Sequence, residues 1–354
     1  MRPLDNDQSI IVAGHICLDL TPAFVGSATA TLDPGTLTRV GQMQRSVGGS
    51  VANTGMALHQ LGVKTRLMGR VSDDLFGDEV LRLLGQASPF LTQGMIRVFG
   101  ESTSYSVVIA PPGVDRMFLH CPGCNDQFQA SNVALPDDAN IKLLHFGYPP
   151  VMRSIYQHDG CELVQIFDKA HASGIATSLD MCSVDPDSEA GSIDWCRWLK
   201  HVLPHVDIFV PSLDELLFMI GHDQCNMSLA LLQSVGKQML DWGVGVLLLK
   251  LGEYGVYLQT ADRVHHLFDG VAWSGQSQYR PCFSVDVAST NGAGDYTIAG
   301  FLTAILEGYS PHEALSSAVG VGASHVESPN QLSDWQAIQQ RIASGWRQHD
   351  KALI

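Results

Sequence analysis

Short apolar runs alternate with longer amphipathic stretches along most of this chain. Ile10 to Val12 opens the series as a strand, Ser50 to Leu61 reads as a helix closed by Gly62, and Val63 to Val71 reads as the next strand. Ser72-Asp73-Asp74 then caps a helix through Leu84. Ile141 to Phe146, Ile175 to Asp180 and Val206 to Val210 read as further buried strands, with helices over Glu162 to Ala172 and Leu213 to Ile220 between and after them. A helix from about Ser228 to Trp242 feeds the strongly apolar strand Val244 to Leu251, which Gly252 to Gly255 turns back into Val256 to Thr260. Tyr296 to Leu306 is apolar on nearly every side, as a buried helix is, and Gly308 is its stop. Ser310-Pro311-His312-Glu313 is a capping box with proline at the first helical position, so a last core helix starts there. This rhythm predicts an α/β fold, a three-layer αβα sandwich around a mostly parallel sheet.

Two segments break the rhythm. Residues 15–47 and 97–130 carry period-2 stretches and Gly/Pro turns with no helical face, and Thr103 to Ala110, Pro111-Pro112-Gly113 and Arg116 to His120 read as a hairpin. Both segments are expected to join in space as a small β-sheet lid over a core made of 1–14, 48–96 and 131–354. Ordinary edge hairpins are the plainer alternative.

A chain of 354 residues with 45% apolar residues can bury a large core. Its formal net charge of −15 and lack of any Lys/Arg run argue against nucleic acid or an anionic membrane as partner, so a phosphate must be bound by local groups. No apolar run approaches the length of a membrane span, and the eight scattered cysteines do not form a secreted disulfide framework; a cytoplasmic protein with reduced thiols is expected. Cys121-Pro122-Gly123-Cys124 has no further zinc ligands at matching spacing and reads as an incidental turn.

The chemistry concentrates in Ser289-Thr290-Asn291-Gly292-Ala293-Gly294-Asp295. First-turn N–H groups of a helix lack intrahelical partners and carry partial positive charge, so an anion can sit there, and glycines let it approach the backbone. Asp295 would repel a bound phosphate if it served binding alone, and its best use is to accept the proton of an attacking hydroxyl. A capped helix with glycines for close packing would carry the same residues.

Gly48-Gly49-Ser50-Val51-Ala52-Asn53 is a second glycine site, leading from the expected lid into a helix. With Gly292-Ala293-Gly294-Asp295 it resembles the two signatures of the ribokinase-like (PfkB) carbohydrate kinases. Asp19, the segment from Gly69 through Asp73 to Gly77, Glu215, and Gly252 with Gly255 fall in the order that family has, over nearly the whole chain. The resemblance implies a ribokinase-like fold and an ATP- and Mg²⁺-dependent kinase acting on a hydroxymethyl group of a small sugar or sugar-like compound. It implies that Asp19, Gly48, Gly49 and Asn53 bind substrate, that Asp295 is the general base, and that Gly292, Ala293 and Gly294 form the anion hole. Gly252, Gly255, Thr290 and Asn291 would border the nucleotide, and Glu215 would hold Mg²⁺ through water. A homodimer through the lid is a further implication.

Departures from the pattern matter as well. Ser212 stands where the family commonly has Asn, and Ser212-Leu213-Asp214-Glu215 is also a helix-capping box. Lys250 stands where a Thr often opens the hairpin; its ammonium either reaches the nucleotide or lies at a solvated strand end. Ser289 replaces an Asp that in relatives helps form a monovalent-cation site, so potassium is a doubtful cofactor here. Thr290-Asn291-Gly292 also resembles the adenosine-kinase form of the motif, which leaves a nucleoside kinase as an alternative; a catalytically weak sugar or nucleotide sensor is another.

Overall fold

The computed structural model describes residues 8–24, 35, 37–111, 117–136, 140–222, 226–268, 270–329 and 331–349. Its strands are β1 (Ser9–Gly14), β2 (Cys17–Phe24), β3 (Val40–Gly48), β4 (Lys64–Met68), β5 (Arg70–Ser72), β6 (Ile96–Val98) and β7 (Tyr105–Ile109). They continue with β8 (Met117–Cys121), β9 (Ile141–Gly147), β10 (Ala176–Leu179), β11 (Ile208–Phe209), β12 (Val246–Lys250), β13 (Val256–Thr260) and β14 (Ser277–Arg280). The large sheet runs β14-β13-β12-β11-β10-β9-β1-β4. It is parallel from β4 to β12, and β13 and β14 add on antiparallel.

Alternate residues of a strand emerge on opposite faces, and β1 divides its side chains between two cores. Ile10 and Val12 pack with the helices Ser50–Gln60, Ala293–Leu306 and Pro311–Glu327. Ile11 and Ala13 pack with the helices Cys161–Ala172, Trp195–Val202, Leu213–Met219 and Leu229–Asp241. Apolar residues on both faces explain why these strands read as unbroken apolar runs. The expected three-layer αβα sandwich is the result.

One expected strand is two. The run Val63 to Val71 breaks at Gly69: β4 stays in the large sheet, and β5 pairs with β6 in a separate two-stranded sheet. At Gly69 a side chain would meet Ile16 at 2.8 Å, and the Gly69 carbonyl accepts from the Ile96 N–H at 2.9 Å, so the backbone changes partner there. The apolar pattern carries no trace of that change.

A smaller sheet has the order β3-β2-β7-β8 and is built from the two segments that break the α/β rhythm. One face turns Leu18, Leu20 and Tyr105 toward the helix Leu75–Ala87, with Tyr105 edge-on to Phe76. The opposite face carries Asp19. The turn expected between β7 and β8 falls on 112–116, outside the described residues, as do 25–34 and 36 of the first segment. Phe128 and Ala130, at the end of the second segment, are buried in the core of the large sheet. Cys121 and Cys124 are free thiols. Among the described residues no helix is long and apolar enough to cross a membrane.

Candidate active site

Parallel strands end at one edge of their sheet, and ligands gather outside that edge. Here it collects His15 after β1, Tyr148 after β9, Asp180 after β10 and Lys250 at the end of β12. The helix Ala293–Leu306 starts against the same edge.

That start has Gly292 as N-cap, at φ 74°, a conformation glycine adopts without strain. No side chain caps it, so apart from the Ala293 N–H, which meets a backbone carbonyl, the first-turn N–H groups face outward as an anion site would need. Asp295, in the first turn, is 3% exposed. Its Oδ2 accepts from Asn53 Nδ2 at 3.0 Å and from the Tyr148 hydroxyl at 2.8 Å, and its Oδ1 accepts from Thr54 Oγ1 at 3.1 Å. A carboxylate has about four acceptor positions. Three are filled here, and the remaining capacity lies on Oδ1. Asn53 and Thr54 are neighbours on the helix Ser50–Gln60, which Gly49 opens at φ 84°.

Tyr148 has φ 66° and ψ 46°, the left-handed region that a bulky residue enters at a cost of about 1–3 kcal/mol. Pro149 and Pro150 follow it, and its ring stacks on His15 with centroids 6.2 Å apart. Burial, and then Asp295, raise its phenol above the usual range, so it stays a donor. Neither Thr54 nor Tyr148 was singled out as a site residue from sequence. The place of Tyr148 just past a buried strand was the available signal.

Lys250 Nζ lies 2.7 Å from Asp180 Oδ1 in a buried ion pair. Burial works against its charge, but Asp180, Glu215 and Asp295 outweigh that and hold the ammonium above its ordinary range. Burial raises the Asp180 and Glu215 carboxyls, while Lys250 pulls both back. A methyl group at Gly294 would sit 3.6 Å from Lys250 Nζ, so the ammonium stands beside the helix start. Asp180 Oδ2 is buried and has no partner among the described residues. Glu215 accepts from the Ser212 N–H at 3.0 Å in a complete capping box. The capping role that the sequence offers for both residues is therefore present.

Further along, Asn291 donates its N–H to Ser289 Oγ at 3.2 Å, and its carbonyl is met by His325 Nε2 at 2.6 Å. Thr290 accepts from the Ala293 N–H at 3.3 Å. Gly252 and Gly255, at φ 57° and 103°, shape the turn from β12 into β13.

On the side of the small sheet, Gly48 touches the Asp19 carboxylate so closely that a Cβ would lie 2.2 Å from Oδ2. Cys17 Sγ donates to Asp19 Oδ1 at 3.4 Å. Burial raises the Asp19 carboxyl. At Gly49 a Cβ would lie 2.6 Å from His15 Nδ1. His15 reaches Ser104 Oγ through Nε2 at 3.3 Å and meets His120 edge-on at 5.0 Å, and His120 Nδ1 is 3.0 Å from Ser106 Oγ. A polar wall therefore runs from Asp295 through Tyr148, His15 and His120 to Asp19. His145, by contrast, is a packing residue: its Nδ1 meets Ser178 Oγ at 2.9 Å, and burial pushes its imidazole down to about 3.

Comparison with known proteins identifies the fold and the family. A 2-dehydro-3-deoxygluconokinase of Thermoproteus tenax is 24% identical over 297 residues, 82% of each chain. A ribokinase structure from Thermotoga maritima superposes with a TM-score of 0.71 at 17% identity, covering 95% of this chain and 99% of that one. A nucleoside kinase structure from Methanocaldococcus jannaschii gives 0.70 at 18% identity, covering 96% and 98%. A model of the pfkB family of carbohydrate kinases matches residues 7–337, and the chain belongs to that family.

Proposed function

We propose that this protein transfers the γ-phosphoryl group of ATP to a hydroxymethyl group of a small sugar or sugar-like compound, with Asp295 as general base. The observation that carries this reading is the buried carboxylate one turn into an uncapped, glycine-started helix, with the Lys250 ammonium beside the same start. When bound, ATP with Mg²⁺ supplies the transferable phosphoryl group and part of its charge neutralisation. The N–H groups of Gly292, Ala293 and Gly294 and the ammonium of Lys250 stabilise the negative charge that develops on phosphoryl oxygens. The free capacity on Asp295 Oδ1 takes the hydroxyl proton as that oxygen attacks phosphorus, while Asn53, Thr54 and Tyr148 keep the carboxylate oriented. The unpartnered Asp180 Oδ2 and the Glu215 carboxylate suit a hydrated Mg²⁺, a hard cation that prefers oxygen ligands and retains water.

Asp19, Gly48, Gly49 and Asn53 form the acceptor side in this reading, and the small sheet is the lid over it. Gly252, Gly255, Thr290 and Asn291 border the nucleotide. A nucleoside is the alternative acceptor; Phe118 on β8, 51% exposed, stands on the same face of the small sheet as Asp19. Met117 and Leu119 of β8, 47% and 60% exposed, support a homodimer through the small sheet, which sedimentation would read as twice the chain mass.

The central test is Asp295→Asn. The variant is expected to fold and bind ATP while kcat falls by about two to four powers of ten. Full activity would end the proposal, and ligand binding without turnover in the unaltered protein would favour a sensor.

A further inference from the structure

We infer that the acceptor is an uncharged polyhydroxylated compound, and that sugar acids and phosphorylated sugars are discriminated against by the wall that binds it. This rests on the reading of the Asp19 side as the acceptor site.

The argument begins with strand register. Residues directly opposed across neighbouring strands share a face of the sheet. Asp19 is opposed by Ser46 on β3 and by Ser106 on β7, and Ser106 is opposed by His120 on β8. The same face carries Thr21 with Gln44 and Val108 with Phe118. Across these four strands, as described, Arg45 is the only Lys or Arg. It is opposed to Leu20 and so points to the other face, where it pairs with Glu79 at 3.2 Å. The acceptor face thus presents hydroxyls, an amide, an imidazole, one carboxylate and the apolar Val108 and Phe118.

The rest of the wall has the same character. Burial disfavours a charge on His120, and burial and then His120 disfavour one on His15, and a neutral imidazole can both donate and accept a hydrogen bond. His15 is 3% exposed, and its Nδ1, beside Gly49, has no partner among the described residues. That buried atom needs a hydrogen-bonding ligand. Tyr148 and Asn53 add a phenol and an amide, while Asp19 and Asp295 set a carboxylate at each end. Hydroxyl groups match every one of these partners. A carboxylate or phosphate would meet two like charges, and among the described residues of the wall no cation offsets them, Lys250 being engaged by Asp180.

Calorimetry on the full chain with matched acceptors tests this: D-ribose against D-ribonate, and D-glucitol against D-gluconate. The neutral member should bind at least about tenfold more tightly in each pair that gives heat, and Asp19→Asn should narrow the ratio by removing one repulsive charge. Neutral members that bind no more tightly than their acids overturn the inference. Turnover is read separately: failure to make any ATP-dependent product would count against phosphoryl transfer, while the binding ratio would still report on the charge preference.

Discussion

Lys250 and Asp180 illustrate what a buried pair does when it is also placed for chemistry. Removing one partner of such a pair leaves an uncompensated charge and costs about 3–5 kcal/mol. Lys250→Met is therefore expected to lower unfolding stability by about that amount in urea titration, and adding Asp180→Asn should recover most of the loss. Activity should not recover, because no ammonium then faces the helix start; a double variant with normal kcat and nucleotide KM would show that Lys250 is structural only. The imidazoles permit a second check. Burial, and then His120, hold His15 well below the ordinary value of 6.5, so it stays neutral as pH falls from about 8 to 6, and the acceptor KM should not change through His15 over that range. A KM that rises through pH 6.5 would mean that a wall imidazole ionises there. Asp295, Gly292 and Asn53 were legible in the sequence because their motifs lie in short contiguous stretches. The Thr54 and Tyr148 contacts to Asp295 span 241 and 147 residues, and no local pattern encodes a hydrogen bond of that separation.

Elements were legible wherever burial made their pattern periodic, as in the helices Ser50–Gln60 and Cys161–Ala172 and the strand β12. The pattern failed where pairing alone defines a strand. β14 is polar but for Tyr279 and exists by its register with β13, and β6 has three residues that find β5 across the helix Leu75–Ala87. Packing of the helix that carries Asp295 has its own requirement. At Gly300 a Cβ would lie 2.8 Å from the Ser317 carbonyl oxygen and from Val321, both on the helix Pro311–Glu327. Gly300→Val should therefore push the two helices apart, cost about 1–3 kcal/mol in thermal unfolding, and lower kcat at temperatures where the variant is still folded. Unchanged stability would mean that the helix pair adjusts without strain.

Across the whole molecule, a net charge of −15 leaves phosphate binding to a few local groups, and the fold brings them together from distant parts of the chain. The large sheet supplies His15, Tyr148, Asp180 and Lys250 from its strand ends; the small sheet supplies Asp19 and His120; a single long helix supplies Asp295. β3 of the small sheet runs through Gly48 and Gly49 directly into the helix whose Asn53 and Thr54 grip Asp295. That grip bears on wasted fuel. An idle kinase is exposed to water as a false acceptor, and a base whose lone pairs are mostly engaged is a poor activator of stray water. Tyr148→Phe vacates one of those lone pairs, so the variant should hydrolyse more ATP per acceptor phosphorylated than the unaltered protein does; a coupled assay for ADP beside one for phosphorylated product would read that leak directly.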